Sequence, residues 1–234
     1  MLVLLPPSEG KTAPAAGAPV NLDELVFPAL HPVRERLLRT LSRLTFPRAL
    51  SYLDISPGLQ EEAERNLTLA TAPAAPAHEV YTGVLYEHLG LGDLPSGRVL
   101  IASALWGFVR PSDRIPAYRL SMGATLPRIP SLPALWRDPL RRAVPDEGLI
   151  VDLRSGAYAA AWKPKQATVV GVRAFANGKP VSHMVKATRG DVARILLSHD
   201  PPQTPDEVAA LVRESGLQVE LTGSGRSWTV DVLT

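Results

Sequence analysis

The sequence predicts a mixed α/β or α+β protein, because buried strands and amphipathic helices share one chain. Three apolar runs lack the alternation of a half-buried strand and are typical of strands covered on both faces: RVLIASALWGF (98–108), GLIVDL (148–153) and ATVVGVRAF (167–175). At 234 residues the chain is long enough for a large core, and we expect a single domain over 1–234.

The first element is the opening segment MLVLLPPSEGKT, an apolar strand followed by Gly10-Lys11-Thr12. This ending looks like a phosphate-binding P-loop, but the position that requires the first glycine of that motif is Leu5. The following APAAGAPVN contains two prolines, so no helix N-terminus is available to receive a phosphate. Lys11 remains as a cation just beyond the carboxyl end of a strand, which is the edge where α/β proteins bind ligands.

A helical subregion is predicted over 32–70. In PVRERLLRTLSRL (32–44) the leucines form one helical stripe, and the arginines at 34, 36, 39 and 43 fall largely outside it. Two shorter helices are predicted over 48–55 and 57–70, on either side of Pro57-Gly58. A further helix is expected over 78–90, where Gly90 would end it.

The C-terminal part carries clear local signals. Asn177-Gly178 is typical of a hairpin turn, and 183–199 is expected to be helical. Thr204-Pro205-Asp206-Glu207 has capping-box spacing and predicts a helix that ends at Gly216. The last two strands, 217–222 and 226–233, should pair across Gly223-Ser224-Gly225.

The composition excludes several classes of protein. The 45% hydrophobic and 21% charged residues are those of an ordinary globular chain, and no apolar run approaches the roughly 20 residues of a membrane span. MLVLL is too short for the apolar region of a signal peptide. Because the chain has no cysteine, it has no disulfide, thiolate metal site or catalytic thiol. We expect a cytoplasmic protein with no membrane association, and a monomer.

The net charge of +2 conceals a strong segregation of charge. Residues 98–142 contain eight arginines against two aspartates, and residues 163–194 contain seven lysines and arginines against one aspartate. Acidic residues concentrate in 61–64 and 200–220. This pattern indicates a basic cleft or face for an anionic partner, although an arginine-rich solvated surface would produce it too.

Common catalytic and cofactor motifs are not found. The five histidines are scattered without metal-ligand spacing, no nucleophile elbow is visible, and no dinucleotide-binding glycine pattern follows a strand. We therefore expect no metal and no cofactor.

Chemistry-bearing residues are densest in SALWGFVRPSDRIPAYRLSMG (103–123). Arg110, Arg114 and Arg119 are candidates to bind phosphate or carboxylate through paired hydrogen bonds from their guanidinium groups. Trp106 and Tyr118 are candidate stacking platforms. The alternative is that the aromatic residues pack in the core while the arginines cap helices.

Further cations and polar groups come from three other segments of the chain. They are Lys163 and Lys165 after Ser155 and Tyr158, then Lys186 and Arg189, and Lys11. If the fold brings Lys11, Arg110, Arg119, Lys163 and Lys186 together, with Tyr118 in the wall, a polyanion or a nucleotide phosphate would fit. Tyr158 is a third candidate for stacking. Tyr118, Ser155 and Lys11 are the candidates for catalysis, without an assigned reaction.

Six blocks in order resemble the bacterial YaaA, or peroxide stress protein, family over nearly the whole chain. They are PPSEGK in the opening, VYTGVLYEHL (80–89), the 103–123 segment, LWRDPL (135–140), VDLRSGAYAAAWKPK (151–165) and VSHMVKATRGDVARIL (181–196). The better-known branch of the family has Ser-Pro-Ala-Lys at the opening, and Lys11 is the equivalent lysine.

The resemblance implies a protein that protects against hydrogen peroxide by limiting free iron and oxidative DNA damage. It also implies an α/β fold with a positively charged cleft and a DNA-binding helix-hairpin-helix element. LDISPGLQEEAERNL (53–67) has the position for that element, but Gln60 stands where a second glycine would let a phosphate approach the backbone.

Two functions remain open from the sequence. In one, the cleft binds DNA weakly and without reading its sequence. In the other, it is an active site for a small phosphorylated or nucleotide-like substrate.

Overall fold

The structure, a computed structural model, describes residues 1–176, 179–180 and 184–233. Its strands are β1 Leu2–Leu5, β2 Ala75–Pro76, β3 Val99–Ser103, β4 Gly107–Val109, β5 Arg114–Ile115, β6 Leu149–Asp152, β7 Thr168–Ala176, β8 Lys179–Pro180, β9 Gln218–Ser224 and β10 Ser227–Leu233. Its α-helices are α1 His31–Leu41, α2 Arg48–Leu53, α3 Gln60–Glu64, α4 Ala77–Val80, α5 Val84–Leu89, α6 Leu132–Ala143, α7 Gly156–Ala159, α8 Met184–Leu197 and α9 Pro205–Glu214. The mixed α/β class predicted from the sequence is confirmed.

The main sheet has the order β4-β3-β1-β6-β7-β10-β9, and β8 pairs with β7 beside this path. The run β3-β1-β6-β7-β10 is parallel throughout, whereas β4 and β9 pair with its ends in the antiparallel direction. From β1 the chain passes to β3 on one side, and from β6 it passes to β7 on the other. The topological switch point therefore lies between β1 and β6.

The predicted buried strands lie at the centre of this sheet. All three residues from Val3 to Leu5 are buried, and so is every residue of β3. The segment 98–108 is two strands, because Ala104-Leu105-Trp106 form a turn that leads into β4. The predicted N-cap of α9 is confirmed, since Thr204 Oγ1 accepts a hydrogen bond from the Glu207 N–H at 3.2 Å, while the Glu207 carboxylate accepts from the Gln203 N–H at 2.7 Å. The expected turn at Asn177-Gly178 and the start of the helix at His183 lie outside the described residues.

Arg34 corrects the expected position of the arginines of the first helix. Its side chain is fully buried, and it donates to the carbonyls of Val26 (2.7 Å), Trp106 (3.0 Å) and Phe108 (3.1 Å). Burial lowers the Arg34 pKa to about 10, and the Asp113 charge opposes this shift. Hydrophobic periodicity does not predict this burial, because it counts every arginine as polar. It takes no account of hydrogen bonds that stabilise a buried polar side chain.

The helix predicted over 78–90 is interrupted. α4 ends at Val80 and α5 begins at Val84, with Gly83 at a φ of 99° between them. Tyr81 forms an antiparallel bridge with Lys11, and the Thr12 N–H donates to the Val80 carbonyl at 3.0 Å. The predicted C-terminal cap is confirmed, since Gly90 adopts a φ of 57°.

The helical subregion contains short elements. α2 ends at Leu53 and is followed by Asp54, which is left-handed at a φ of 53°; Pro57–Leu59 then form a 3-10 turn that leads into α3. α3 spans only Gln60–Glu64, and a second 3-10 turn, Arg65–Thr68, follows it. The predicted helix over 57–70 is therefore one short α-helix between two tighter turns.

Candidate functional site

Two loops meet at the switch point of the sheet. Residues 6–12 leave the carboxyl end of β1, and residues 153–158 leave the carboxyl end of β6. After β6, Arg154 donates to both carboxylate oxygens of Asp152 (2.8 and 2.7 Å) and to the Trp162 carbonyl (3.0 Å). This buried fork fixes the turn that presents Ser155.

Hydrogen bonds to α4 and α5 hold the 6–12 loop. Tyr86 Oη donates to the Pro6 carbonyl at 2.7 Å, and the Thr82 N–H donates to Ser8 Oγ at 3.1 Å. The Ser8 hydroxyl in turn donates to the Gly10 carbonyl at 2.5 Å. The break between the two helices is therefore part of the site, since it frees the Thr82 N–H for this contact.

Two adjoining cavities open around this loop and share Glu9, Gly10, Lys11, Thr82 and Arg119. The first, which we call the switch-point cavity, has a volume of about 590 Å³ and also includes Ser155, Tyr158, Lys186 and Arg189 in its lining. The second, the Tyr118 cavity, has a volume of about 550 Å³ and reaches Leu59, Glu62 and Arg65 of the helical subregion.

Lys11 lies at the junction of the two cavities. Its Nζ donates to the Ser8 carbonyl at 2.7 Å and to the Glu9 carbonyl at 3.4 Å. It also lies 4.4 Å from the ring centroid of Tyr118 and 5.5 Å from that of Tyr81. Burial lowers the Lys11 pKa to about 7; the Arg119 charge adds to this shift, and Glu9 opposes it.

A chain of hydroxyl groups lies beneath Lys11. Tyr118 Oη is 2.8 Å from Tyr81 Oη and 2.7 Å from Ser103 Oγ. Ser103 Oγ accepts from the N–H groups of Leu105 (3.2 Å) and Trp106 (2.9 Å), so its proton points to Tyr118. Burial raises the pKa of both tyrosines, which keeps them protonated at neutral pH.

Arg119 is held in place through its backbone. The buried Asn66 side chain accepts from the Arg119 N–H at 2.9 Å and donates to the Arg119 carbonyl at 2.7 Å. The guanidinium lines both cavities, with Nη1 at 3.4 Å from the Glu9 carbonyl. The helical subregion, which contributes Asn66, thus fixes the arginine that both cavities share.

α8 contributes the remaining cations of the switch-point cavity. Lys186 is exposed, whereas Arg189 is half-buried and its buried Nε has no hydrogen-bond partner among the described residues. Burial lowers the Arg189 pKa, and the Asp152 charge opposes this shift. In all, Lys11, Arg119, Lys186 and Arg189 face this cavity against Glu9 and Asp54.

Four of the predicted cations line neither cavity. Arg110 is exposed, and Arg114 donates to the Ala74 carbonyl at 2.5 Å. Lys163 and Lys165 are exposed on the segment before β7. The expected convergence of five cations is therefore wrong for Arg110 and Lys163, which lie outside the lining of both cavities.

The three aromatic residues that are candidates for stacking lie in different environments. Trp106 is fully buried and packs edge-on against Tyr118 at 6.2 Å, so it is a core residue and not a surface for stacking. Tyr118 reaches the wall of its cavity with most of the ring buried, and Tyr158 is half-buried in the wall of the switch-point cavity. Burial raises the Tyr158 pKa.

Sequence reasoning missed Asn66, Thr82 and Glu9. Each acts through a backbone hydrogen bond or a loop position that carries no periodic signal. Gly83 was the available clue, because a glycine after threonine inside a predicted helix indicates a break.

Within residues 1–176, 179–180 and 184–233, no three histidine, aspartate or glutamate side chains are grouped to hold a metal ion. In the same ranges, no helix has the length and apolarity needed to cross a membrane.

The fold and the cavities define an α/β protein with a cavity at the switch point of a mostly parallel sheet. The family model described as "Peroxide stress protein YaaA" matches residues 1–221, so the chain belongs to that family. It is 44% identical to a UPF0246 protein of Streptomyces coelicolor over 255 aligned positions, covering 100% of this chain and 98% of that protein. It is 41% identical to a UPF0246 protein of Corynebacterium efficiens, with 100% of both chains covered.

Proposed function

We propose that the switch-point cavity binds a small phosphate-bearing, nucleotide-like ligand, and that the protein serves peroxide protection through this site. One observation carries the proposal: Lys11, Arg119, Lys186 and Arg189 come from three separate chain segments and face one cavity at the carboxyl ends of β1 and β6. Arginine forks suit phosphate, and this position in the sheet is where open α/β folds bind ligands.

The rest of the cavity suits the other half of such a ligand. Pro6, Pro7, Leu53, Val84 and Leu120 supply apolar lining, and Val84 is 45% exposed, which is unusual for a large apolar side chain of this protein. The volume of about 590 Å³ falls within the range of small-molecule sites. A phosphate at the cationic end and a base or other flat ring on the apolar lining would use both.

Thermal stabilisation by a panel of nucleoside monophosphates, pyrophosphate and inorganic phosphate tests this proposal. Arg119→Ala should weaken binding roughly 10- to 100-fold, since a charged hydrogen bond contributes about 1.5–3 kcal/mol. The substitution leaves the backbone bonds to Asn66 in place, and circular dichroism checks the fold.

Arg39→Ala is the matched control, because Arg39 is an exposed helix residue paired only with Glu35 among the described residues. Equal and small effects of the two substitutions on every ligand would contradict a discrete site.

The peroxide role rests on family membership and is tested in cells. A deletion strain should become sensitive to hydrogen peroxide, and the wild-type and Arg39→Ala genes should restore survival. The Arg119→Ala gene should not. Full rescue by Arg119→Ala at equal protein level would separate the cavity from the peroxide function.

A second candidate, weak and sequence-independent DNA binding that limits oxidative damage, is favoured by one observation. The helical subregion, with its Pro57-Gly58 turn, borders both cavities through Leu53, Asp54, Leu59 and Arg65. The exposed Glu61 and the cavity-lining Glu62 oppose it, because they repel phosphates. Limitation of free iron would accompany this role.

Fluorescence anisotropy with a short duplex tests DNA binding. Affinity should fall by orders of magnitude between about 50 and 200 mM salt. Gly58→Ala should weaken it if the turn approaches a phosphate closely, since a methyl there meets only Ser56 Oγ at 4.0 Å and leaves the fold intact. Gly97→Ala, in open space, is the control. No binding at 50 mM salt would remove this candidate.

A further inference from the structure

The contacts of Lys11 differ from the surroundings of Lys163, Lys165 and Lys186. Lys163, Lys165 and Lys186 are exposed, whereas Lys11 is partly buried against two aromatic rings and two backbone carbonyls. Lys11 has no ion pair with a carboxylate of the described residues. Its nearest like charge is the Arg119 guanidinium, which faces the same cavities.

These contacts accommodate a neutral amine as well as an ammonium. An uncharged Nζ has two protons and one lone pair, and the Ser8 and Glu9 carbonyls can accept both protons. The lone pair then takes a direction that neither carbonyl occupies, at the junction of the two cavities. Desolvation and a neighbouring cation both lower the pKa of a lysine, and this activates its amine as a nucleophile.

The charged and titratable groups around Lys11 come from each element that packs on it. Glu9 belongs to its own loop, Arg119 and Tyr118 to the 103–123 segment, Tyr81 to the end of α4, and Glu62 and Arg65 to the far wall of the Tyr118 cavity. Because the pKa of Lys11 is about 7, about half of the protein molecules carry a neutral Lys11 amine at pH 7.

The cations of the cavity therefore suit two different roles. A half-neutral amine is a poor permanent partner for an anion, but Arg119, Arg189 and Lys186 remain available for phosphate.

We propose that Lys11 is a nucleophile that forms an imine with the aldehyde or ketone group of a phosphate-bearing carbonyl compound held in the switch-point cavity. This inference rests on the proposed function and narrows its substrate class. The amine nitrogen adds to the carbonyl carbon, and the two amine protons leave with the carbonyl oxygen as water. A C=N bond replaces the C=O bond, and no oxidant or reductant takes part.

Reductive trapping tests the proposal without an assay of activity. Pyridoxal 5′-phosphate, a phosphate-bearing aldehyde, is incubated with the whole protein at pH 7 and cyanoborohydride, and the modified peptides are mapped by mass spectrometry. The neutral fraction of Lys11 exceeds that of an ordinary lysine on the order of a thousand-fold at this pH. Because burial slows access, we expect labelling of Lys11 at least about tenfold faster than that of Lys163 and Lys165.

Matched variants assign the adduct. Lys11→Arg should remove the labelled peptide, whereas Lys163→Arg should leave it unchanged, and the N-terminal amine serves as an internal reference for reactivity. Arg189→Ala should slow labelling by pyridoxal 5′-phosphate at least about threefold and have no effect on labelling by pyridoxal, which lacks the phosphate.

The outcomes separate the two proposals. Labelling of Lys11 no faster than Lys163, while phosphate still stabilises the protein against heat, would overturn the nucleophile and leave the phosphate site standing. Fast labelling of Lys11 by both aldehydes, with no stabilisation by phosphate, would support the nucleophile and contradict the proposed function.

Discussion

At the residue scale, the local environment assigns different chemistry to side chains of one type. Arg34 is buried among carbonyls, Arg39 is solvated, and Arg119 lies in a cavity. The sequence alone could place Lys11 after a strand, because the apolar run before it is unambiguous. It could not indicate the lowered pKa, since the two tyrosine rings and the arginine responsible lie about 70 to 110 positions away along the chain.

Lys11→Met tests the environment of that lysine through the pH dependence of stability. The folded-state pKa is about 7, below that of the unfolded chain, so the unfolded state binds more protons between about pH 7 and 10. The wild type therefore gains stability relative to Lys11→Met as pH rises through this window, by about 1.4 kcal/mol per pH unit.

The measurement is the free energy of unfolding of both proteins in urea at pH 6, 8 and 9.5. Below pH 7 the difference between them should be constant, with the penalty on wild type fully present. A difference that stays the same across all three values would show that Lys11 titrates as a solvated lysine.

Arg34→Met should destabilise the protein by about 3–5 kcal/mol. The substitution keeps most of the buried volume but leaves the carbonyls of Val26, Trp106 and Phe108 without their donor. Arg39→Met, on the exposed face of the same helix, should change stability by less than about 0.5 kcal/mol. Urea unfolding of both variants gives the comparison, and equal small losses would contradict the structural role of Arg34.

At the scale of elements, the cavity depends on how α8 packs on α5. Gly190 is the contact point: a Cβ there would lie 2.5 Å from the Leu85 carbonyl oxygen and 2.7 Å from His88 Cβ. Lys186 and Arg189 lie within one turn before it on α8. The backbone approach at Gly190 thus sets how close these cations come to the 6–12 loop.

Gly190→Ala should therefore push the two helices apart. We expect a loss of stability of about 1–3 kcal/mol, and weaker binding of the phosphate ligands that Arg119→Ala affects. Gly97→Ala, which meets no atom within 4 Å, should change neither. The measurements are thermal unfolding and the ligand-induced shift; an unchanged shift in a destabilised Gly190→Ala would show that α8 does not position the site.

The elements also show where prediction from sequence ends. α9 and the pairing of β9 with β10 were predictable, because a cap signal marks the start of α9 and glycines lie near the connection of the two strands. The predicted turn at Gly223-Ser224-Gly225 is wrong in position, since β9 continues to Ser224 and the turn is Gly225-Arg226. Gly83 indicates the break between α4 and α5, but the pairing of Tyr81 with Lys11 there joins distant parts of the chain and carries no local signal. α6 carries Pro139 in its interior, which hydrophobic periodicity alone does not reconcile with a helix.

At the scale of the whole molecule, strand order decides which loops meet. The apolar runs predicted strands β1, β3, β6 and β7, but the order β3-β1-β6 follows from long-range pairing. That order brings Lys11 and Ser155 to one crevice and leaves Lys163 and Lys165 outside it. Charge segregation along the chain therefore did not indicate which cations would share the cavity.

The location of a bound phosphate tests the central claim most directly. Crystals of the protein soaked with a nucleoside monophosphate should show its phosphate within hydrogen-bonding distance of Arg119 and Arg189, in the switch-point cavity. Density for phosphate only on outer basic segments, such as that of Lys163 and Lys165, with an empty switch-point cavity, would contradict it.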